Sequence, residues 1–174
     1  MLTSTEAYLQ YFEGIHQRTL RDVLALPAAA CGWRPPAGHG EAAWSVNEVI
    51  AHIVTTRHYF VRAYRGEGWL APPDPDTTDP AVWAHLIEAS ARAVHDGLQD
   101  TPASWLEREV PRLGSGERLP GWQILMFMSE HEVHHRSQLD SYAGLNGWQP
   151  PQIYGRRWEQ VLALQAEARA AHGP

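Results

Sequence analysis

Between Trp122 and Tyr142 the chain reads WQILMFMSEHEVHHRSQLDSY, an apolar helical run that turns abruptly into a cluster of histidines. At helical spacing Ile124, Met128, His131, His135 and Tyr142 share one stripe, with Leu125 and Leu139 beside it, so both imidazoles are aimed where core side chains point. Residues four apart on a helix can bring two imidazole nitrogens to one metal ion without distorting the backbone. A stable site needs a third ligand from elsewhere. His52, in SVNEVIAHIVTTRHYF, lies beside Val49, Ile50, Ile53 and Phe60 and is the candidate. A lone histidine on an apolar face is ordinarily a hydrogen-bonded core residue, and that remains the plain alternative for His52. Two imidazoles buried in one stripe, however, leave donors and acceptors that only a metal or a polar network can satisfy. Three imidazoles suit Zn, Ni, Fe or Co, and the spacing does not choose among these divalent ions.

Several neighbours could shape such a centre. Glu132 and Asp140 are carboxylates close enough in sequence to fix an imidazole tautomer, although Glu132 is turned about 100° from His131 and can equally be part of a solvated face. Gln138 follows His135 by three residues and can line the cavity, whereas His134 points away. Trp44, Tyr59 and Trp122 either wall a pocket or pack the core. His131 to His135 also satisfies HExxH, in which two histidines bind zinc and the glutamate, here Glu132, is the general base of a protease. The metzincin extension needs a glycine at 138 and a histidine at 141, where this chain has Gln138 and Ser141. Glu159 could serve as a gluzincin-type third ligand, but no strands are predicted to align a peptide. A protease is the weakest of the readings.

These residues need elements to position them. The first helix opens with a capping box, Thr3 with Glu6, and carries Tyr8, Phe12, Ile15, Thr19, Val23 and Leu26 at helical spacing before Pro27 ends it, with His16 beside that stripe in a surface or packing role. Residues 27–43 are rich in Pro, Gly and Ala and read as a loop, with Trp33 plugging a bundle end and His39 too loosely held to be a ligand. The second helix starts at the capping box of Ser45 and Glu48, with Trp44 stapled against Val49, and runs to about Tyr64. Gly66, Gly68 and APPDPDTTDP form a non-helical linker. Asp79 then caps a third helix with Pro80 at its first position and Val82, Leu86, Ala89, Ala93 and Leu98 on its buried face. Residues 101–119 form an irregular crossover with a short hairpin around Gly114 to Gly116. The fourth helix starts at Pro120 and stops near Gly144, and a last helix, about Gly155 to Ala171, packs on the outside. No internal repeat is evident. The prediction is an all-α helix bundle forming a single domain over 1–174, with an extra C-terminal helix, in which facing helices deliver ligands to one central point.

Composition narrows the function. A chain of 174 residues can bury a sizeable core without cross-links. Its one cysteine, Cys31, cannot form an internal disulfide and reads as incidental. A net charge of −6 argues against a nucleic-acid surface, and the Arg156–Arg157 pair reads as solvated. The N-terminus has no basic segment leading into an apolar one, and no run approaches the ~18 apolar residues of a membrane span. These features predict a soluble cytoplasmic protein without a membrane or nucleic-acid partner.

Three stretches resemble the DinB/YfiT-like superfamily: WSVNEVIAHIVTTRHYF at 44–60, HEVHHRSQLDSY at 131–142 and GLNGWQPP at 144–151. The likeness covers most of the chain in order, with Ser137 where the family often has glycine. It implies an up-down-down-up four-helix bundle and a divalent metal held by one histidine of the second helix and two of an HxxxHRxQ motif, which correspond to His52, His131 and His135. It also implies a metal-dependent transferase or hydrolase using a low-molecular-weight thiol of the bacillithiol or mycothiol type, or water, and a homodimer. Either reaction would use one chemistry, since a divalent ion with open positions makes bound water or thiol nucleophilic near neutral pH. The alternative is a non-catalytic, stress-associated protein binding a metal or ligand. A general acid or base is not identifiable from the sequence.

Overall fold

A computed structural model describes residues 2–148 and 155–172. Its main elements are α1 (Thr5–Leu24), α2 (Val46–Arg65), α3 (Trp83–Leu98), the strands β1 (Glu109–Pro111) and β2 (Arg118–Pro120), α4 (Gly121–Asn146) and α5 (Trp158–His172). The helices begin and end where local chemistry satisfies their terminal groups. The Ser45 hydroxyl accepts from the Glu48 amide while Glu48 reaches back to the Ser45 N–H, completing the predicted capping box of α2. Helices α2 and α4 stop at Gly66 and Gly147, both left-handed, which glycine adopts without the steric penalty of a Cβ. At α1 the cap is Ser4, accepting from the Ala7 amide, and not the predicted Thr3.

Contacts fix the topology. Thr5 meets Thr101 beyond the end of α3, so α1 and α3 are antiparallel. Tyr8 meets Ser129 and Asp22 meets Arg136, so α1 and α4 are parallel. Arg57 meets Ser90 and Arg65 meets Gly97, so α2 and α3 are parallel, whereas Tyr142 reaches back to Trp44, making α4 antiparallel to α2. The order is up-down-down-up. Two consecutive helices can run the same way because the 66–82 segment travels the length of α2 and is pinned at its far end. There the Asn47 side-chain amide and Trp83 Nε1 both donate to Thr77 O, and the Thr77 hydroxyl returns a bond to Asn47 O. Cys31 takes part in this pinning, with its thiol donating to Thr78 O, so it is not incidental to the packing.

The core has two apolar clusters. One gathers Tyr8, Phe12, Phe60, Tyr64, Leu98 and Ile124; the other gathers Val23, Val49, Ile50, Trp83, Leu139 and Tyr142. Trp33 does close one bundle end, with its ring centroid 5.0 Å from that of Tyr142 and 5.8 Å from that of Trp148. The buried face of α3 is Trp83, Ile87, Ser90, Ala91, Val94 and Leu98, displaced by about one residue from the predicted stripe. A single turn of 3-10 helix over Pro80–Val82, capped by Asp79, precedes α3. The expected hairpin is present, β1 and β2 pairing antiparallel with Val110 opposite Leu119. Among the described residues α5 has none buried, and the GLNGWQPP motif beyond Trp148 lies outside them. No helix among the described residues is long and apolar enough to cross a membrane.

Candidate metal centre

Facing turns of α2 and α4 bring the three predicted histidines together. One ligand atom from each of His52, His131 and His135 lies within 4.8 Å of the other two. His52 Nε2 is 3.1 Å from His131 Nε2, and His135 Nε2 is buried without a hydrogen-bond partner. One shared proton can satisfy the His52–His131 pair but leaves His135 Nε2 orphaned, a costly state for a buried polar atom. A cation satisfies all three. Zinc–imidazole bonds of about 2.0–2.1 Å in a tetrahedral site put the nitrogens about 3.4 Å apart, against 3.1 Å between His52 and His131 and no more than 4.8 Å to His135. The donor set therefore fits a divalent metal.

The rings are held neutral and oriented. Burial, followed by the neighbouring imidazoles, lowers the pKa of His52 to about 4 and of His131 to about 3; burial also lowers that of His135. Gln138 Oε1 lies 2.6 Å from His135 Nδ1, and the Gln138 amide donates to Glu41 O at 2.9 Å. Because that amide is already donating, the Gln138 oxygen accepts from Nδ1–H, which fixes the tautomer that leaves the Nε2 lone pair facing the other histidines. The Trp44 ring lies across His52 and His135, at centroid distances of 4.6 and 5.7 Å. Phe60 meets His131 edge to face at 5.6 Å.

A cleft of about 540 Å³ opens over His131 and His135. Tyr59, Phe60, Trp69 and Phe127 form an aromatic wall, the hairpin supplies Leu119, and Glu41, Glu130 and His134 stand at the polar side. Trp69 Nε1 donates to Pro111 O, tying the linker after α2 to the hairpin. Tyr59, Gln138 and Trp44 thus all border the centre, Tyr59 within the cleft and the other two against the ligands. Trp122 instead packs against the first apolar cluster.

Glu132 departs from both expectations. It is 2 % exposed, so it is not a solvated face, and its carboxylate does not line the cleft. Arg57 grips it with Nε at 2.9 Å and Nη2 at 2.6 Å, and the Thr19 hydroxyl donates at 2.7 Å. Burial raises its pKa, but the Arg57 charge and these hydrogen bonds outweigh that effect and leave it lowered. The reason is angular: one residue past an inward histidine, the helix turns Glu132 toward α1 and the interior. The general base required by HExxH is therefore committed to an ion pair. Asp140 likewise faces Asp22 and Arg136, away from the ligands. Arg57 was not singled out in the sequence, although Ile53, Arg57, Phe60 and Tyr64 fall on one stripe and a charge within an apolar stripe is a signal for a buried partner. His16, assigned to surface or packing, is buried against Arg57, with Nδ1 3.4 Å from Nη2.

This fold and histidine cluster define a class, and comparison with known proteins gives it a name. The model of the DinB family matches residues 1–168, and the chain belongs to that family. It is 27 % identical over 122 residues to the uncharacterized protein YjoA of Bacillus subtilis, covering 67 % of this chain and 77 % of YjoA. A DinB-like protein from Bacillus cereus superimposes with a TM-score of 0.71 at 20 % identity, over 87 % of this chain and 99 % of that one. YfiT from Bacillus subtilis, described as a probable metal-dependent hydrolase with an unusual four-helix bundle topology, superimposes with a TM-score of 0.61 at 14 % identity, over 83 % of this chain and 89 % of YfiT.

Proposed function

We propose that the protein is a metal-dependent enzyme in which His52, His131 and His135 hold a divalent ion, Zn, Ni or Fe, and which transfers or hydrolyses a small substrate with a low-molecular-weight thiol or water as nucleophile. The observation that carries this reading is the unpartnered, buried Nε2 of His135 beside the His52–His131 pair. A bound ion of this kind supplies Lewis acidity and lowers the pKa of a coordinated water or thiol. The rest falls to the chain. Gln138 holds His135 in its ligating tautomer, Trp44 restricts water on one side, and Tyr59, Phe60 and Trp69 offer an apolar surface for the body of a substrate. The structural neighbour YfiT, described as a probable metal-dependent hydrolase, supports a hydrolase, and the cleft of about 540 Å³ beside the ligands is the space a thiol of the bacillithiol or mycothiol type would occupy. Because Glu132 is held by Arg57, no proton transfer is assigned to it. A cytoplasmic homodimer completes the proposal, and light scattering on the purified chain reads its mass.

Elemental analysis of protein purified without added metal tests the centre. About one equivalent in the parent, lost in His135→Ala, is the expected result; no metal even after reconstitution overturns it. A cobalt-substituted sample should change its visible spectrum on addition of azide or a thiol if the ion keeps an open position, and a silent spectrum favours a closed, non-catalytic site. Turnover of bacillithiol- and mycothiol-dependent transfer then separates thiol from water chemistry.

A further inference from the structure

Glu41 and His134 are exposed at the polar side of the cleft over His131 and His135. One ligand atom each of Glu41, His134 and His135 lies within 4.8 Å of the others, the same bound that the three histidines meet. The two sets share His135. Its Nδ1 donates to Gln138, so whichever set holds an ion, His135 can ligate it only through the unpartnered Nε2. An ion cannot occupy both sets through one lone pair, so the sets can be filled only in turn.

Resting on the three-histidine reading, we infer that Glu41 and His134 form an outer divalent-cation site through which the ion is loaded into the inner one. A hydrated ion must exchange its waters for ligands stepwise, and the first exchange takes place where the cleft meets solvent. The inner set lies deeper than the exposed Glu41 and His134, with Trp44 against His52 and His135 and Phe60 beside His131. Glu41 supplies what that set lacks, an exposed negative charge that attracts the cation and a hard first ligand. Among the described residues the Glu41 carboxylate and the His134 ring form no hydrogen bond; both residues engage neighbours through their backbone carbonyls. The Glu41 carbonyl is held by the same Gln138 that orients His135, which keeps the outer carboxylate and the shared histidine in one hydrogen-bonded chain. The ion keeps His135 throughout and exchanges Glu41 and His134 for His52 and His131.

The test uses the full chain, stripped by chelator and mixed with cobalt(II) in a stopped-flow instrument, with visible absorbance as the signal. A carrier of both Glu41→Gln and His134→Ala should take up cobalt about tenfold or more slowly than the parent. Release into excess chelator should slow by the same factor, leaving Kd unchanged, because a transit site lowers the barrier equally in both directions. Uptake at the parental rate overturns the inference, as does a weakened Kd with unchanged uptake, which would make Glu41 and His134 supports of the resident ion. A parent that binds no cobalt defeats the three-histidine reading itself, whereas a parent that binds and a His135→Ala variant that does not leave that reading intact whatever the double variant does.

Discussion

His135 depends on a single neighbour for its usefulness as a ligand. Gln138 accepts from Nδ1 and so turns the Nε2 lone pair inward. Replacing it by leucine keeps the volume and removes the acceptor, and the expected outcome is metal affinity weakened about 10–100-fold with the apoprotein still folded, read by competition with a chromophoric chelator. The same burial that prepares the imidazoles makes the metal-free protein acid-sensitive. His16, His52, His58, His131 and His135 all have lowered pKa values, His52 to about 4 and His131 to about 3. Between pH 6.5 and those values the unfolded chain binds protons that the folded one refuses, so stability falls as pH falls through this window. Asp22 works the other way. Burial and then Asp140 push it up to about 6, so the folded state takes up its proton first. Five histidines against Asp22 and Asp140 set the sign, and urea midpoints measured from pH 7 to 4.5 should decline. A rising midpoint contradicts this account.

Helices α2 and α4 are registered by charge as much as by apolar packing. Arg57 lies five residues past His52 and Glu132 one past His131, so their ion pair locks the two helices at the turn where the ligands meet. Burying such a pair is expensive, and breaking it is worse. Glu132→Gln leaves the 1 % exposed Arg57 without its counter-charge and should destabilise the fold by about 3–5 kcal/mol in denaturant titrations. Changing both residues, Arg57→Met with Glu132→Leu, should recover most of that loss, since well-packed apolar pairs often replace buried ion pairs without penalty. A double variant as unstable as the single would assign the pair a larger net contribution. The start of α4 is constrained differently: a Cβ at Gly121 would run into the Trp105 carbonyl and crowd the Tyr64 ring. Gly121→Ala should therefore cost about 1–3 kcal/mol, measured the same way.

Most of the bundle's buried packing lies away from the three histidines. Its two apolar clusters and the Arg57–Glu132–Thr19 layer join side chains of the helices directly, and the three histidines sit at the edge of this core beside an open cleft. Removing metal by chelator should leave the far-ultraviolet circular dichroism spectrum unchanged and lower Tm only by the linkage expected from ligand concentration and Kd. Loss of helicity on chelation would instead make the ion a structural element, as in small zinc domains.

Much of this was legible in the sequence, because helix periodicity and capping are local. The capping box at Ser45, the proline and glycine boundaries and the inward stripe of His131 and His135 all follow from residues within a few turns of one another. His52 could be named only as a candidate, since its distance from His131 is set by how α2 and α4 pack. The same limit hid Arg57 and misplaced Glu132. Local spacing says that a side chain leaves a stripe by about 100°, but not whether solvent or another helix stands there. The buried face of α3 was missed by about one residue because two adjacent apolar stripes run along it, and packing against α1 and α2 decides which one turns inward. The sequence by itself determined which residues could ligate and which segments would be helical. Only the tertiary structure decided that α2 and α4 meet with three imidazoles converging, that Glu132 is turned toward Arg57, and that Glu41, distant in sequence, shares a cleft with His134, because those facts depend on the packing of elements far apart along the chain.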